Sequence, residues 1–155
     1  MYKKILVPTD GSELSNDAIA QAIEFGRLCG AELLALSIVE PYPLVPAAEG
    51  AMVIDPGFET RELEHSAHGF VEAVAAKARA AGVPCSTVTA VSMTPAEEII
   101  RVADQNGCDL IFMASHGRRG LSKLLAGSVT QNVLAYSSIP VMVLRPKHHG
   151  KHGAQ

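Results

Sequence analysis

The residues best suited to chemistry lie between Ala114 and Gln131: His116, Gly117, the pair Arg118-Arg119, and the run Gly127-Ser128-Val129-Thr130. They follow a short apolar run, Asp109-Leu110-Ile111-Phe112-Met113, which reads as a buried strand bounded by turn signals. Ser128 followed three places later by Gln131 reads as an N-cap with a capping box, so a helix is expected to start there. The unpaired amides and positive dipole end of such a helix favour an anion, and Gly127 lets a ligand approach the backbone with no Cβ in the way. Arg118 and Arg119 add charge within reach of phosphate oxygens. The chemistry indicated is phosphate binding. An ordinary strand-to-helix connection, with turn glycines and solvated arginines, shares this local grammar, so the surrounding elements have to decide.

Those elements alternate along the chain. Ile5 to Val7 is an apolar strand, Asp10-Gly11-Ser12 turns the chain, and Leu14, Ala18, Ala22, Phe25 and Cys29 recur at helical spacing before Gly30 stops the helix. Leu33 to Val39 reads as a second strand. A second helix carries Leu63, Ala67, Phe70, Val74, Ala78 and Ala81 on one stripe, and Gly82 and Pro84 end it. Cys85 to Val91 follows as a third strand, Thr94-Pro95-Ala96-Glu97 as a capping box opening a third helix, and Asn106-Gly107 as its stop. Apolar strands alternating with helices call for a doubly wound α/β domain, a parallel sheet covered on both faces. In such sheets the ligand crevice lies beyond the carboxyl ends of the strands, where strand order reverses, and Asp10 and Ala114 stand at two such ends. Between Glu40 and Glu59 four prolines and two glycines interrupt apolar residues, which reads as a long loop, either a flap over the crevice or a surface excursion.

Composition sets the class. The chain has 155 residues, enough for one domain with one core, spanning residues 1–146, while the polar stretch 147–155 reads as a disordered tail. With 48% hydrophobic and 19% charged residues and a net charge of −3, nucleic acid is not indicated as a partner. Cys29, Cys85 and Cys108 show neither a CxxC pair nor metal spacing and read as core residues in a reducing compartment. No apolar run is long enough to span a membrane and no signal peptide precedes the first strand, so the cytoplasm is the expected location.

Three separated motifs resemble the universal stress protein family, in its ATP-binding subgroup. The spacing Gly117, nine residues, then Gly127-Ser128 resembles that family's Gly-x2-Gly-x9-Gly-Ser/Thr signature. Lys4-Ile5-Leu6-Val7-Pro8-Thr9-Asp10-Gly11-Ser12 looks like its opening strand and acidic turn, and Ile139-Pro140-Val141-Met142-Val143-Leu144 like its closing strand. The likeness runs from about Tyr2 to Arg145. It implies a flavodoxin-like or Rossmann-like sheet of five parallel strands in the order 3-2-1-4-5. It further implies that Asp10 meets the ribose or base edge of an adenine nucleotide, that the backbone at Ile38 meets the adenine, and that the stretch from Met113 through Ala114 and His116 to Gly117 wraps the sugar and first phosphates, with Pro8, Thr9 and Arg118 also among the cofactor-binding residues. Gly127, Ser128, Val129 and Thr130 would hold phosphates through amides and hydroxyls. The implied ligand is ATP, with Mg2+ as a companion ion, or ADP or AMP. One departure stands out: the first glycine of the signature is Ala114 here, harmless where φ is negative and disfavoured in the left-handed region.

Other chemistries find little support. Neither GxGxxG nor GxxxxGK[ST] follows the first strand, and only Asp10 stands where a phosphoacceptor would want an acidic pair. No nucleophile with an adjacent base is evident, so no catalytic residue is assigned. His65 and His68 fall off the apolar stripe and read as a solvated face, so no metal site is assigned either. Asp10 also suits an Asx turn that simply shapes the connection. The functional expectation is a dimeric regulatory or sensing module in the stress response, a homodimer formed through the edge strand Val141–Leu144. The alternatives are a nucleotide-free stress protein acting through protein contacts, and a weak ATP hydrolase.

Overall fold

The computed structural model describes residues 1–41, 56–116 and 126–145. Nine elements follow one another as β1(Lys4–Pro8), α1(Glu13–Cys29), β2(Glu32–Val39), α2(Pro56–Ala80), β3(Cys85–Val91), α3(Pro95–Gln105), β4(Leu110–Ala114), α4(Ser128–Tyr136) and β5(Val141–Leu144). All recorded pairings are parallel, and the sheet order is β3-β2-β1-β4-β5. The order implied by the resemblance is the observed one.

Alternation along the central strands builds two cores. Ile5, Val7, Leu33, Ala35, Leu110 and Phe112 face α1 and α2, while Leu6, Leu34, Leu36, Ile111 and Met113 face α3 and α4. β4 is buried along its whole length, as a strand covered on both faces must be. β3 departs from that expectation, being only half-buried, because it is an edge of the sheet.

Several boundaries differ from the sequence reading. α2 begins at Pro56, inside the stretch read as a loop, because proline is tolerated at the first helical position. Of that stretch, 42–55 lies outside the described residues, as does the tail 147–155. Ala81 lies exposed beyond α2, and Val71 and Ala75 join the buried face instead. Thr94 does precede α3, yet its side chain makes no capping bond; the Thr94 N–H donates to Ser92 Oγ at 3.1 Å, and the capping box does not form. Cys108 is buried and Cys29 and Cys85 half-buried, all as free thiols. Among the described residues, no helix is long and apolar enough to cross a membrane.

Candidate functional site

The two central strands part at their carboxyl ends. β1 and β4 are paired only at Ile5↔Leu110 and Leu6↔Ile111. Beyond that each follows its outer neighbour: β1 stays in register with β2 as far as Pro8↔Leu36, and β4 with β5 as far as Ala114↔Leu144. The Thr9 N–H donates to the Leu36 carbonyl and the Ser115 N–H to the Leu144 carbonyl, each at 2.8 Å, which extends both ladders by one bond. A crevice at the switch point follows, walled by the β1–α1 connection on one side and the start of α4 on the other.

The β1–α1 wall is held by short-range polar contacts. Thr9 is buried, and its Oγ1 accepts from the Gly11 N–H (3.3 Å) and the Ser15 hydroxyl (2.9 Å). Asp10 Oδ1 accepts from the Ser12 N–H at 3.0 Å, an Asx turn that occupies one carboxylate oxygen. Ser12 caps α1, its Oγ accepting from the Ser15 N–H at 3.2 Å. Gly11 sits at φ +76°, and a Cβ there would fall 2.4 Å from a Phe70 ring carbon. Both the dihedral and the ring on α2 therefore demand glycine.

The β4–α4 wall is braced from within. The Ser115 carbonyl accepts from the Gly127 N–H at 2.7 Å and from the Thr130 hydroxyl at 3.1 Å, and the same hydroxyl lies 3.1 Å from the Ala114 carbonyl. Those bonds start the helix one residue earlier than expected. Gly127, at φ −61° and ψ 158°, is the N-cap in place of Ser128, and Gln131 extends its side-chain amide to the Ala126 carbonyl at 2.6 Å instead of closing a capping box. No side chain caps α4, so the N–H groups of Ser128, Val129 and Thr130 face the crevice end of the helix without an acceptor among the described residues. The Thr130 hydroxyl, read as a phosphate contact, is turned inward as a brace.

Ala114 resolves the steric question its identity raised. No non-glycine residue among those described has positive φ, and the Ala114 methyl packs with the core cluster on the α1 side of the sheet. Alanine therefore costs nothing at this strand end. Ser115 Oγ and His116 Nδ1 share a hydrogen bond of 2.9 Å, while His116 Nε2 is buried with no hydrogen-bond partner among the described residues. Gly127 presents the opposite case to Gly11: a Cβ there would meet the Ser115 carbonyl at 3.5 Å and His116 Cα at 3.7 Å, ordinary contact, so the fold of the described residues does not require glycine.

Of the other predicted site residues, Pro8 and Ile38 are half-buried at the ends of β1 and β2, Met113 is buried, and Ser128 is exposed. Gly117 and Arg118 lie outside the described residues. His65 and His68 are exposed on α2, and among the described residues no cluster of three metal-ligating side chains occurs. Sequence reasoning missed Ser115 and the contact of Phe70 with position 11, which rest on distant segments meeting; it took Ser12 only as part of a turn, although its type and place before a helix are the signal of an N-cap.

This geometry can be set against known proteins. The model of the universal stress protein family matches residues 1–145. The chain belongs to that family. Universal stress protein MJ0577 of Methanocaldococcus jannaschii is 31% identical over 96% of this chain and 98% of its own length. The solved MJ0577 structure has a TM-score of 0.78 at 29% identity, covering 95% of this chain and 98% of that one. Two more distant universal stress protein structures share the fold: one in complex with cAMP (TM-score 0.67, 22% identity, 93% and 97% covered) and one from Archaeoglobus fulgidus in complex with dAMP (0.62, 19%, 93% and 98%).

Proposed function

We propose that this universal stress protein binds an adenine nucleotide, ATP foremost, in the β1–β4 crevice, and acts as a dimeric sensing or regulatory module in a stress response. The observation that carries the reading is the uncapped start of α4 at the switch point. Three main-chain donors and the positive end of a helix dipole suit a phosphate, and Gly127 leaves the approach open although the fold itself would accommodate a side chain there. His116 Nε2, buried without a hydrogen-bond partner among the described residues, lies on the same wall. In this reading Asp10 accepts from the ribose hydroxyls while keeping its Asx turn, the main chain at Pro8, Thr9 and Ile38 lines the base, and Met113, Ala114, His116, Gly117 and Arg118 wrap the sugar and first phosphates. The amides of Ser128, Val129 and Thr130 hold the phosphates, and Mg2+ accompanies the triphosphate. That two proteins of this fold were solved with cAMP and dAMP supports the choice of adenine.

The dimer reading rests on β5, a sheet edge whose Met142 is exposed, and on Leu134 and Tyr136, exposed on α4. Light scattering coupled to size-exclusion chromatography is expected to give twice the chain mass, and Met142→Lys half of that; a monomer of unaltered chain at micromolar concentration removes this part of the reading.

A thermal-shift series with ATP, ADP, AMP and cAMP tests the ligand. A nucleotide at a hundred times its dissociation constant adds about 2.7 kcal/mol to stability. That corresponds to roughly 5–10 °C for a chain of this size. Silence from all four nucleotides would defeat the nucleotide reading and favour a stress protein acting through protein contacts.

A further inference from the structure

The edge opposite β5 carries a feature that nucleotide binding does not use. β3 is seven residues long, Cys-Ser-Thr-Val-Thr-Ala-Val, with no charge, proline or glycine, the devices that usually blunt an edge. The phase of the β3 ladder is set by two bonds, Leu33 N–H to the Pro84 carbonyl (2.8 Å) and Ser92 N–H to the Val39 carbonyl (2.9 Å). Main-chain groups of even-numbered residues therefore face β2, and those of Cys85, Thr87, Thr89 and Val91 face outward, where no described strand pairs with them.

Alongside runs an acidic row on α2. Glu64, His68 and Glu72 recur every four residues on one helix face. Glu72 Oε1 accepts from the Thr87 hydroxyl at 3.3 Å, and Glu64 and His68 line, with Val39, Thr89 and Val91, a pocket of about 190 Å³ at the carboxyl end of β3. Eight residues of helix separate the two carboxylates by about 12 Å along the axis. Same-face side chains of an extended chain repeat every 6.7 Å or so, so residues four apart span about 13 Å.

We propose that the outer edge of β3 is a strand-addition site for an extended protein segment carrying Lys or Arg at positions i and i+4, one beside Glu72 and one entering the pocket beside Glu64. Main-chain bonds to Thr87 and Thr89 supply affinity, and the carboxylate spacing supplies selectivity. A second copy of β3 is the poorer occupant, because it would set one acidic row against another.

The test uses the full chain and the synthetic peptide Thr-Lys-Val-Thr-Val-Lys-Thr, with a Glu-for-Lys peptide as control. The expected result is fast amide exchange at Thr87 and Thr89 in the free protein, protection of both on adding the Lys peptide, and at least tenfold weaker binding of the Glu peptide. The surface double variant Glu64→Lys/Glu72→Lys, with its fold checked by circular dichroism, should reverse that preference. Thr87 and Thr89 amides already protected in the free protein, equal binding of the two peptides, or self-association through β3 in ultracentrifugation would each overturn the proposal.

Discussion

Replacing Gly127 by alanine should separate folding from binding. The backbone at φ −61° and ψ 158° is open to any residue, and the new Cβ would meet only the Ser115 carbonyl at 3.5 Å and His116 Cα at 3.7 Å. Restricting the unfolded chain is worth about 0.4–1 kcal/mol in favour of alanine. Glycine is the better N-cap by a similar amount, roughly 0.5–1 kcal/mol, so the two terms nearly cancel. At about 2–4 °C per kcal/mol for this size, the melting temperature should move by no more than about 2 °C. A bound phosphate meets the methyl where it would have met open backbone. Loss of a single hydrogen bond to a charged group costs about 1.5–3 kcal/mol, or about tenfold to a hundredfold in affinity. Calorimetry with ATP, beside a melt without ligand, reads both effects. A melting temperature lowered by more than about 5 °C would show that the glycine serves the fold, and an unchanged ATP affinity would show that no ligand approaches there.

Three further outcomes follow from the same structure. Thr130→Val keeps the shape of a side chain only 2% exposed but removes the hydroxyl that braces the Ala114 and Ser115 carbonyls. The cost should be about 2 kcal/mol, or 4–8 °C in a thermal melt, and a change under about 1 °C would contradict the bracing role. Gly11→Ala should destabilise through both its positive φ and the Phe70 ring, and Phe70→Leu should relieve only the second part, so a double-mutant cycle should show coupling of about 1 kcal/mol or more; strict additivity would argue against the contact. Burial pushes the Cys108 thiol up from 9.0 to about 11. Between those values the folded chain keeps a proton that the unfolded chain has released, so this contribution to stability is intact below pH 9 and fades as pH rises toward 11. Denaturation midpoints should fall more steeply over that range in the unaltered chain than in Cys108→Ala, and parallel curves would refute the assignment.

The fold was legible because its signals are local and agree with one another. Gly30 at positive φ ends α1 where the helical spacing runs out, Asn106-Gly107 ends α3, and the apolar run at Leu110–Met113 is a strand buried along its whole length. What escaped reading was set by contacts far apart in sequence. Ser128 has the right type for an N-cap, but the Ser115 carbonyl pulls on the Gly127 N–H and moves the helix start by one residue. Thr94 was legible as the residue before α3, and its carbonyl does accept from the Glu98 N–H, yet its own N–H goes to Ser92 Oγ and its side chain makes no capping bond. Part of the need for glycine at position 11 comes from Phe70, a whole strand and helix away, whereas the Asx turn open to Asp10 in the sequence is formed with the Ser12 N–H. The fate of the Ala114 departure likewise depended on which core its methyl enters.

The most direct measurement is a titration of the 15N-labelled protein with Mg-ATP, following the amide resonances of Ser128, Val129 and Thr130. The account predicts saturable shifts concentrated on those three amides and on Asp10 and Ile38, with β3 undisturbed. Saturating nucleotide that leaves the start of α4 unmoved would contradict it.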